Sequence, residues 1–359
     1  MSRKRPRLAY RSVAALVLMS LLLVAGWIWW AESFPETERE LRVHAQDQLE
    51  AWFPEEMQPV GVYGLFALGD QASGRDAPRV VLIHGLDEPG NIWDELTPAL
   101  ERAGFNVWDF RYPNDQAIDR SAELLAEHWS QLEAIGPVVL IGHSMGGLVA
   151  RDFVTRLLHP EGLEPIVRGP RVAGVILVGT PNQGSDWSRL RIWLELREQL
   201  LPGGDKPFSW FASLHDGTGA AKIDLRPGSV FLQNLNERKW PTEIPLQIIG
   251  GVLLEPPVSL LAGLESIGED RVPPEIGTAL LDWWSNVGDG VGDGVVSVAS
   301  LEIQGAPDPI LVSASHRGLL VKLFTTDSAP PAIAPIVEIA SAWIETQGGS
   351  RYESASEGW

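Results

Sequence analysis

The sequence contains no cysteine and is short of positive charge. The absence of cysteine excludes disulfides, thiolate nucleophiles and cysteine-ligated zinc. Lysine and arginine number 28 against 47 acidic residues, which gives a formal net charge of −19. Nucleic acid is therefore not an expected partner, because binding phosphates requires a basic surface. The remaining composition, 45% hydrophobic over 359 residues, is that of a globular protein.

The N-terminus carries the one long apolar run. Residues 1–11 contain five basic residues and no acidic residue, and an apolar run follows over 13–30. Eighteen helical residues span about 27 Å, close to the hydrocarbon thickness of a bilayer. Trp27, Trp29 and Trp30 end this run, and an acidic segment follows. We therefore expect a cytoplasmic segment at 1–11 and a transmembrane signal anchor at 12–31, with the rest exported, to the periplasm in a Gram-negative cell.

Two alternatives to an uncleaved anchor are a cleaved signal peptide and a buried core helix. The tryptophans and the lack of a small-x-small site argue against cleavage. A core helix does not require the charge asymmetry seen here. After the anchor we expect a polar, partly helical stalk at 32–59, one domain at 60–346 and a polar tail at 347–359.

Short apolar runs alternate with amphipathic stretches from residue 60 onward. Strands are predicted at 80–83, 105–110, 137–141, 172–178, 246–249 and 310–312, and helices at 91–103, 117–135, 146–158 and 332–346. Such alternation predicts an α/β fold with a doubly wound, mostly parallel sheet. The pattern lapses at about 183–244 and 253–288, which we interpret as lid-like insertions over the carboxyl ends of the strands.

The segment Gly142-His143-Ser144-Met145-Gly146-Gly147 contains a Gly-x-Ser-x-Gly motif. It lies between a predicted buried strand and a predicted helix, the strand–turn–helix setting that exposes a nucleophilic serine. The turn strains the serine backbone, and glycines on either side leave it room. The helix N-terminus then favours developing negative charge. Ser144 is thus the predicted nucleophile, although a tight turn with a capping serine would give the same pattern.

A serine hydroxyl needs a base to take its proton, and in this setting the acid and the base follow the nucleophile in the chain. Four of the seven histidines precede Ser144. Of the remaining three, His159 ends the helix after the nucleophile and His215 lies in the first insertion. His316 alone follows the last predicted strand and is the predicted base, the alternative being an ordinary surface-loop histidine.

The acid must lie between the strand at 246–249 and His316. Asp289 and Asp293 are the loop candidates, and Asp293 is favoured because it directly precedes an apolar run at 295–298. Its carboxylate could accept the imidazole N–H and hold the required tautomer. The same Asp-Gly pattern is weakly similar to a calcium loop, which is the alternative interpretation.

The oxyanion of the transition state needs backbone donors. One is the N–H of the residue after the nucleophile, Met145. The other comes from the loop after the strand at 80–83, and we expect it to be the N–H of Leu86. His84, in the same loop, is expected to be structural.

Five segments together resemble the α/β-hydrolase superfamily, in its bacterial lipase/esterase and GPI inositol-deacylase-like branch. They are 81–86, 141–147, 178–185 (Val-Gly-Thr-Pro-Asn-Gln-Gly-Ser), 293–296 and 315–316. The resemblance covers about 60–345 and implies carboxylic-ester hydrolysis through an acyl-enzyme, with no cofactor or metal. The long second insertion and the anchor depart from the common pattern.

The substrate class is inferred from the insertions and the anchor. The insertions are rich in aromatic residues: Trp187, Trp193, Phe208, Trp210, Phe211, Trp283 and Trp284. These residues suit either an acyl chain at the mouth of the site or simple packing of the insertions onto the body. A lipid or lipid-like ester is the predicted substrate. Alternatives are an acyltransferase on the same scaffold and a non-catalytic, membrane-anchored binding protein.

Overall fold

A computed structural model describes residues 5–57, 61–69, 77–86, 88, 90–132, 136–185, 217–253, 292–322 and 329–356. Its centre is a seven-stranded sheet in the order β1-β3-β2-β4-β5-β6-β7. The strands are β1 Gly64–Leu68, β2 Arg79–Ile83, β3 Asn106–Arg111, β4 Val138–His143, β5 Val172–Val178, β6 Leu246–Val252 and β7 Ile310–Ser313. All neighbours pair in parallel except β1, which runs antiparallel to β3. The predicted doubly wound, mostly parallel sheet is confirmed.

The α-helices lie before, between and after these strands. They are α1 Arg5–Ser33, α2 Pro35–Trp52, α3 Pro54–Met57, α4 Leu96–Arg102, α5 Ile118–Trp129, α6 Met145–Asp152, α7 Ala220–Asp224, α8 Val230–Glu237, α9 Val298–Leu301 and α10 Ile333–Ser356. A 3₁₀ turn at Ser130–Leu132 extends α5, and a π-helix at Phe153–Leu158 extends α6.

Two hydrophobic layers cover the two faces of the sheet. Val81, Ile83 and Leu140 point into one layer, with α5, α6 and α8 packed over them. Val80, Leu82 and Ile141 point into the other layer, which α4 and α10 cover. Because consecutive side chains of a strand face opposite sides, continuous apolar runs are what a sheet buried on both faces requires.

The order of the strands determines where a site can form. The chain adds β3 on one side of β2 and then returns to place β4 on the other side. At such a reversal the loops after the two strands diverge and leave a crevice at their carboxyl ends. The loop after β2 carries Leu86, and the turn after β4 carries Ser144.

Several predicted boundaries were wrong. The edge strand β1 was not predicted, because its five residues lack a repeated alternation of apolar and polar positions. The helix predicted at 91–103 begins only at Leu96, and α10 continues to Ser356 rather than ending at 346. The apolar run 295–298 lies in a turn and at the start of α9, because Val296 fills the core beneath that turn instead of joining the sheet.

The predicted stalk packs against the body of the domain. Arg39 of α2 donates to the Asp224 carboxylate from its Nε at 2.5 Å, and Arg42 donates to the carbonyl of Thr218. Gln46 reaches Gln116 at 3.1 Å. The polar residues of α2 therefore make polar contacts with the domain. A sequence pattern cannot distinguish such contacts from exposure to solvent.

The predicted membrane anchor corresponds to α1. Among the residues that the structure describes, no helix by itself is both long and apolar enough to span a bilayer. The segments Leu18–Ser33 and Pro35–Trp52 together meet that length and composition, with a bend of 106° between them.

Candidate active site

Ser144 occupies the sharp turn between β4 and α6. Its backbone has φ 54° and ψ −128°, and no other non-glycine residue that the structure describes has a positive φ. This conformation is unfavourable for a residue with a side chain, so the surrounding structure must hold it in place. The Ser144 N–H donates to the carbonyl of Val178 at 2.8 Å, which ties the turn to the end of β5.

Glycines around Ser144 make the turn possible. A Cβ at Gly146 would overlap the carbonyl oxygen of Ile83, and one at Gly142 would lie 2.5 Å from the Cα of Gly147. Both added Cβ atoms would lie far inside the van der Waals contact distance of their neighbours. The first and last glycines of the motif are therefore required by close backbone packing, as the sequence motif indicated.

Asp293 and His316 are joined by a side-chain hydrogen bond. His316 Nδ1 lies 2.7 Å from Asp293 Oδ2, and the side chain of Asp293 is only 1% exposed. The other carboxylate oxygen, Oδ1, accepts the backbone N–H groups of Val295 and Val296 at 2.9 and 2.8 Å. A carboxylate fixed in this way orients the imidazole and stabilises it when it is protonated. Asp289, the rival acid, lies outside the described residues.

The ring of His316 lies at the same edge of the sheet as Ser144. A Cβ on Gly179, directly after β5, would lie 3.2 Å from both Cε1 and Nδ1 of His316. The rings of His316 and His143, the residue before Ser144, have centroids 4.8 Å apart. Sequence positions 144, 293 and 316, which lie far apart in the chain, are therefore gathered at the carboxyl ends of β4, β5, β6 and β7.

The segments that carry the two predicted oxyanion donors lie next to the nucleophile. Met145 is the first residue of α6, and its side chain is fully buried. Leu86 follows Gly85, at which a Cβ would lie 2.7 Å from Ser144 Cβ and 3.3 Å from its Oγ. The loop after β2 thus runs directly beside the serine, as a donor from Leu86 requires.

Tyr112 and His84 hold the start of this loop. The Tyr112 hydroxyl donates to the carbonyl of His84 at 2.5 Å, and the two rings stack with centroids 4.5 Å apart. Burial raises the pKa of the Tyr112 phenol, and the negative charges of Glu88 and Asp109 raise it further. The phenol therefore remains a hydrogen-bond donor, and His84 has the structural position expected from the sequence.

The Gly-Thr-Pro-x-x-Gly-Ser segment after β5 braces the loop that carries the acid. Ser185 Oγ donates to the carbonyl of Val295 at 2.6 Å, and Ser300 Oγ donates to that of Gly184 at 2.6 Å. Asn182 donates through Nδ2 to the carbonyl of Leu301 at 2.7 Å. The structural role of this segment is thus to fix the position of the turn at Asp293.

Sequence reasoning missed a group of charged residues beside the site. Glu88 follows Leu86 in the loop after β2, lies 3.4 Å from His143 and 3.6 Å from Arg317, and is 10% exposed. The only signal in the sequence was adjacency, since His143 precedes the nucleophile and Arg317 follows the predicted base. Adjacency in the chain gives neither the distance from Glu88 to these two residues nor the burial of Glu88.

The two predicted insertions carry aromatic residues, and a calcium loop was the alternative interpretation at Asp289 and Asp293. The aromatic residues at 187, 193, 208, 210, 211, 283 and 284 lie outside the described residues. Within the described ranges, no group of three or more histidine, aspartate or glutamate side chains is arranged to hold a metal ion.

Comparison with known proteins gives the family. The model of the alpha/beta hydrolase family matches residues 80–301, and the chain belongs to this family. It is 31% identical to lipase LipV of Mycobacterium tuberculosis over 166 residues, 43% of this chain and 56% of LipV. It is 29% identical to epoxide hydrolase B of the same species over 131 residues, 33% of each chain. The matches thus span about half or less of the curated relatives' length.

Solved structures confirm the fold. The metagenomic carboxyl esterase MGS0156 superposes with a TM-score of 0.50 at 19% identity, over 86% of this chain and 91% of that one. At that identity the likeness concerns architecture alone. The α/β-hydrolase fold and the kinship with bacterial lipases and esterases, both predicted from the motifs, are confirmed.

Proposed function

We propose that the protein is a serine hydrolase that cleaves carboxylic esters, with Ser144 as nucleophile, His316 as base and Asp293 as the orienting acid. The observation that carries the proposal is the strained Ser144 at the carboxyl edge of the sheet, where the hydrogen-bonded Asp293–His316 pair also lies. Strain at a single non-glycine residue is characteristic of a functional position. The kinship with a lipase supports an ester substrate.

The first half of the reaction forms an acyl-enzyme. His316 Nε2 takes the hydroxyl proton of Ser144 while Oγ forms a bond to the carbonyl carbon of the ester. The carbonyl electron pair moves onto oxygen, and the N–H groups of Leu86 and Met145 donate to that oxyanion. When the carbonyl re-forms, the bond to the alkoxy group breaks, and His316 returns the proton to the departing alcohol.

The second half releases the acid. A water molecule gives a proton to His316 Nε2 and attacks the acyl carbon, which again passes through an oxyanion. The bond to Ser144 Oγ then breaks, and the proton returns from His316 to the serine. Asp293 keeps the imidazole proton on Nδ1 throughout, so that Nε2 stays free to accept and deliver the second proton.

The proposed substrates are lipid or lipid-like esters. The support is the apolar N-terminal segment, the aromatic content of the two insertions, and the relative named as a lipase. An apolar site beside a bilayer favours long acyl chains through burial, by about 0.8 kcal/mol for each methylene removed from water.

We further propose that α1 anchors the enzyme, with residues 1–11 in the cytoplasm and the catalytic domain on the exported side. The basic segment before the apolar run and the acidic segment after it support this orientation. Protease added to intact spheroplasts should then digest the catalytic domain. Protection of the domain there, with digestion only after lysis, would contradict the orientation.

The test of the activity is hydrolysis of p-nitrophenyl esters by the purified, detergent-solubilised full chain. We expect turnover by the wild type and at least a 10³-fold lower rate for Ser144→Ala of equal thermal stability. A series of acyl chains from two to sixteen carbons then addresses the substrate, and kcat/KM should rise toward the longer chains. Full activity of Ser144→Ala would exclude the proposed mechanism.

A further inference from the structure

Glu88 lies between the turn that carries the nucleophile and the loop that carries the base. One carboxylate oxygen, Oε1, is 3.4 Å from Nδ1 of His143, and Oε2 is 3.6 Å from a guanidinium nitrogen of Arg317. Arg317 also donates to Asn91 Oδ1 at 2.6 Å. A single carboxylate thus connects the loop after β2 with the residue before Ser144 and the residue after His316.

The position of Glu88 is unlike that of a surface ion pair. Its side chain is 10% exposed, and that of His143 is completely buried. Burial by itself would raise the pKa of the Glu88 carboxyl, but the contact with His143 and the charge of Arg317 outweigh it and lower the pKa. The carboxylate is therefore ionised under ordinary conditions, and it is screened by solvent far less than an exposed pair.

His143 carries the connection on to the base. Its Nε2 lies 3.3 Å from the main-chain carbonyl oxygen of His316. Both ring nitrogens of His143 therefore face oxygens, Nδ1 that of Glu88 and Nε2 that of His316. The ring of His143 therefore connects the Glu88 carboxylate with the main chain of His316.

We propose that Glu88 is a positioning residue for the base of the reaction, holding the main chain of His316 against the nucleophile turn through His143 and Arg317. The proposal deepens the proposed function and rests on it. Asp293 fixes the imidazole from one side, whereas Glu88 fixes the backbone segment on which the imidazole is carried. Glu88 acts through its contacts with His143 and Arg317.

Such a residue acts on the rate of chemistry more than on binding. A displacement of about 1 Å between base and nucleophile can reduce the rate about 100-fold, because proton transfer depends steeply on alignment. Loss of the Glu88 charge should therefore lower kcat and leave KM nearly unchanged.

The experiment compares Glu88→Gln with the wild type in the full chain, with kcat expressed per site titrated by a fluorophosphonate. We expect kcat to fall about 10- to 100-fold, with KM for a p-nitrophenyl ester within about 3-fold. Glu88→Asp, which keeps the charge, should recover part of that loss. Glu95→Gln is the matched control, since Glu95 forms a half-exposed ion pair with Lys322 nearby, and its kcat should stay within about 2-fold.

The split between kcat and KM separates positioning from a structural role. A variant that only loses stability has fewer folded molecules, and the fluorophosphonate titration corrects kcat for that loss. A displaced base instead lowers kcat at every titrated site. Partial recovery in Glu88→Asp then shows that the negative charge at this position is required.

The kcat of the variants decides whether Glu88 positions the base. Glu88→Gln with wild-type kcat per titrated site would overturn the positioning role. If that variant does not fold, Arg317→Gln removes one of the two connections; an intermediate loss of kcat then supports the proposal, and wild-type kcat overturns it. Failure of the proposed function is distinguishable, because the wild type itself would then not react with the fluorophosphonate at Ser144.

Discussion

His316 forms two hydrogen bonds with Asp293, one through its side chain and one through its main chain. The imidazole Nδ1 lies 2.7 Å from Oδ2 of Asp293, and the N–H of His316 donates to the carbonyl of Asp293 at 2.9 Å. Two residues separated by 23 positions are thereby held as one rigid unit. Because Oδ1 of the carboxylate is occupied by two backbone N–H groups, its orientation does not depend on the histidine.

Replacement of Asp293 by asparagine should remove most of the activity without unfolding the protein. The amide keeps the shape, but it can present a donor to Nδ1 and so favour the tautomer whose Nε2 is protonated. We expect kcat to fall by about 10⁴-fold, the loss typical of this change in a serine triad. Steady-state kinetics on a p-nitrophenyl ester measure it. Asp308→Asn, at an exposed aspartate before β7, is the control and should keep wild-type kcat.

Replacement of Gly146 by alanine should destabilise the fold. The added Cβ would overlap the carbonyl oxygen of Ile83, and neither backbone can retreat without disturbing the sheet. We expect a loss of about 2–3 kcal/mol in the free energy of unfolding, measured by urea denaturation. A Cβ at Gly90 meets nothing within 4 Å, so Gly90→Ala should leave the stability unchanged. Equal stability of the two variants would contradict this packing.

The pairing of α2 with the domain should be visible in a double-mutant cycle. Asp224 is completely buried, with Arg39 as its ionic partner and the Ile118 N–H as a further donor. At pH 8, Arg39→Met should cost about 3–5 kcal/mol, because it leaves a buried carboxylate uncompensated. Asp224→Asn in the same chain should recover at least about 1 kcal/mol of that loss. Strictly additive effects would show that α2 does not pair with the domain in solution.

Asp224 should also give stability an unusual dependence on pH. Burial raises its pKa to about 7, against the opposing effects of Arg39 and the Ile118 N–H, whereas an unfolded aspartate titrates near about 4. Between these values the folded state binds the proton and the unfolded state does not. The contribution of this group to the free energy of unfolding should therefore fall as the pH rises from about 4 to 7, and then level off.

Urea denaturation from pH 5 to pH 8 tests this dependence. The stability of the wild type relative to Asp224→Asn should be greatest at pH 5 and decrease toward pH 8. A relative stability that grows with pH would mean that the ion pair with Arg39 outweighs burial.

The sequence predicted the features that local chemistry determines. Short continuous apolar runs predicted β2, β4, β5 and β6, since a strand buried on both faces requires apolar residues at consecutive positions. The glycines around Ser144 indicated a close turn, and the structure has one. His316 emerged because only three histidines follow the nucleophile, and the structure places it against the favoured Asp293.

What the sequence could not predict depends on contacts between distant segments. A polar helix over 35–52 reads as solvent-exposed, yet its charges meet Asp224 and Arg226, which lie far along the chain. The run 295–298 has the composition of a strand, but tertiary packing places it in the turn that holds Asp293. Glu88 is one acidic residue among 47, and only the fold brings it against His143 and Arg317.

The most direct test of the central claim is a covalent one. The purified wild-type chain is treated with a fluorophosphonate, and its intact mass and peptide map are measured beside those of Ser144→Ala. We predict one adduct per chain, located on Ser144, and none on the variant. An unmodified wild type, or an adduct that persists in Ser144→Ala, would contradict the assignment of Ser144 as the nucleophile.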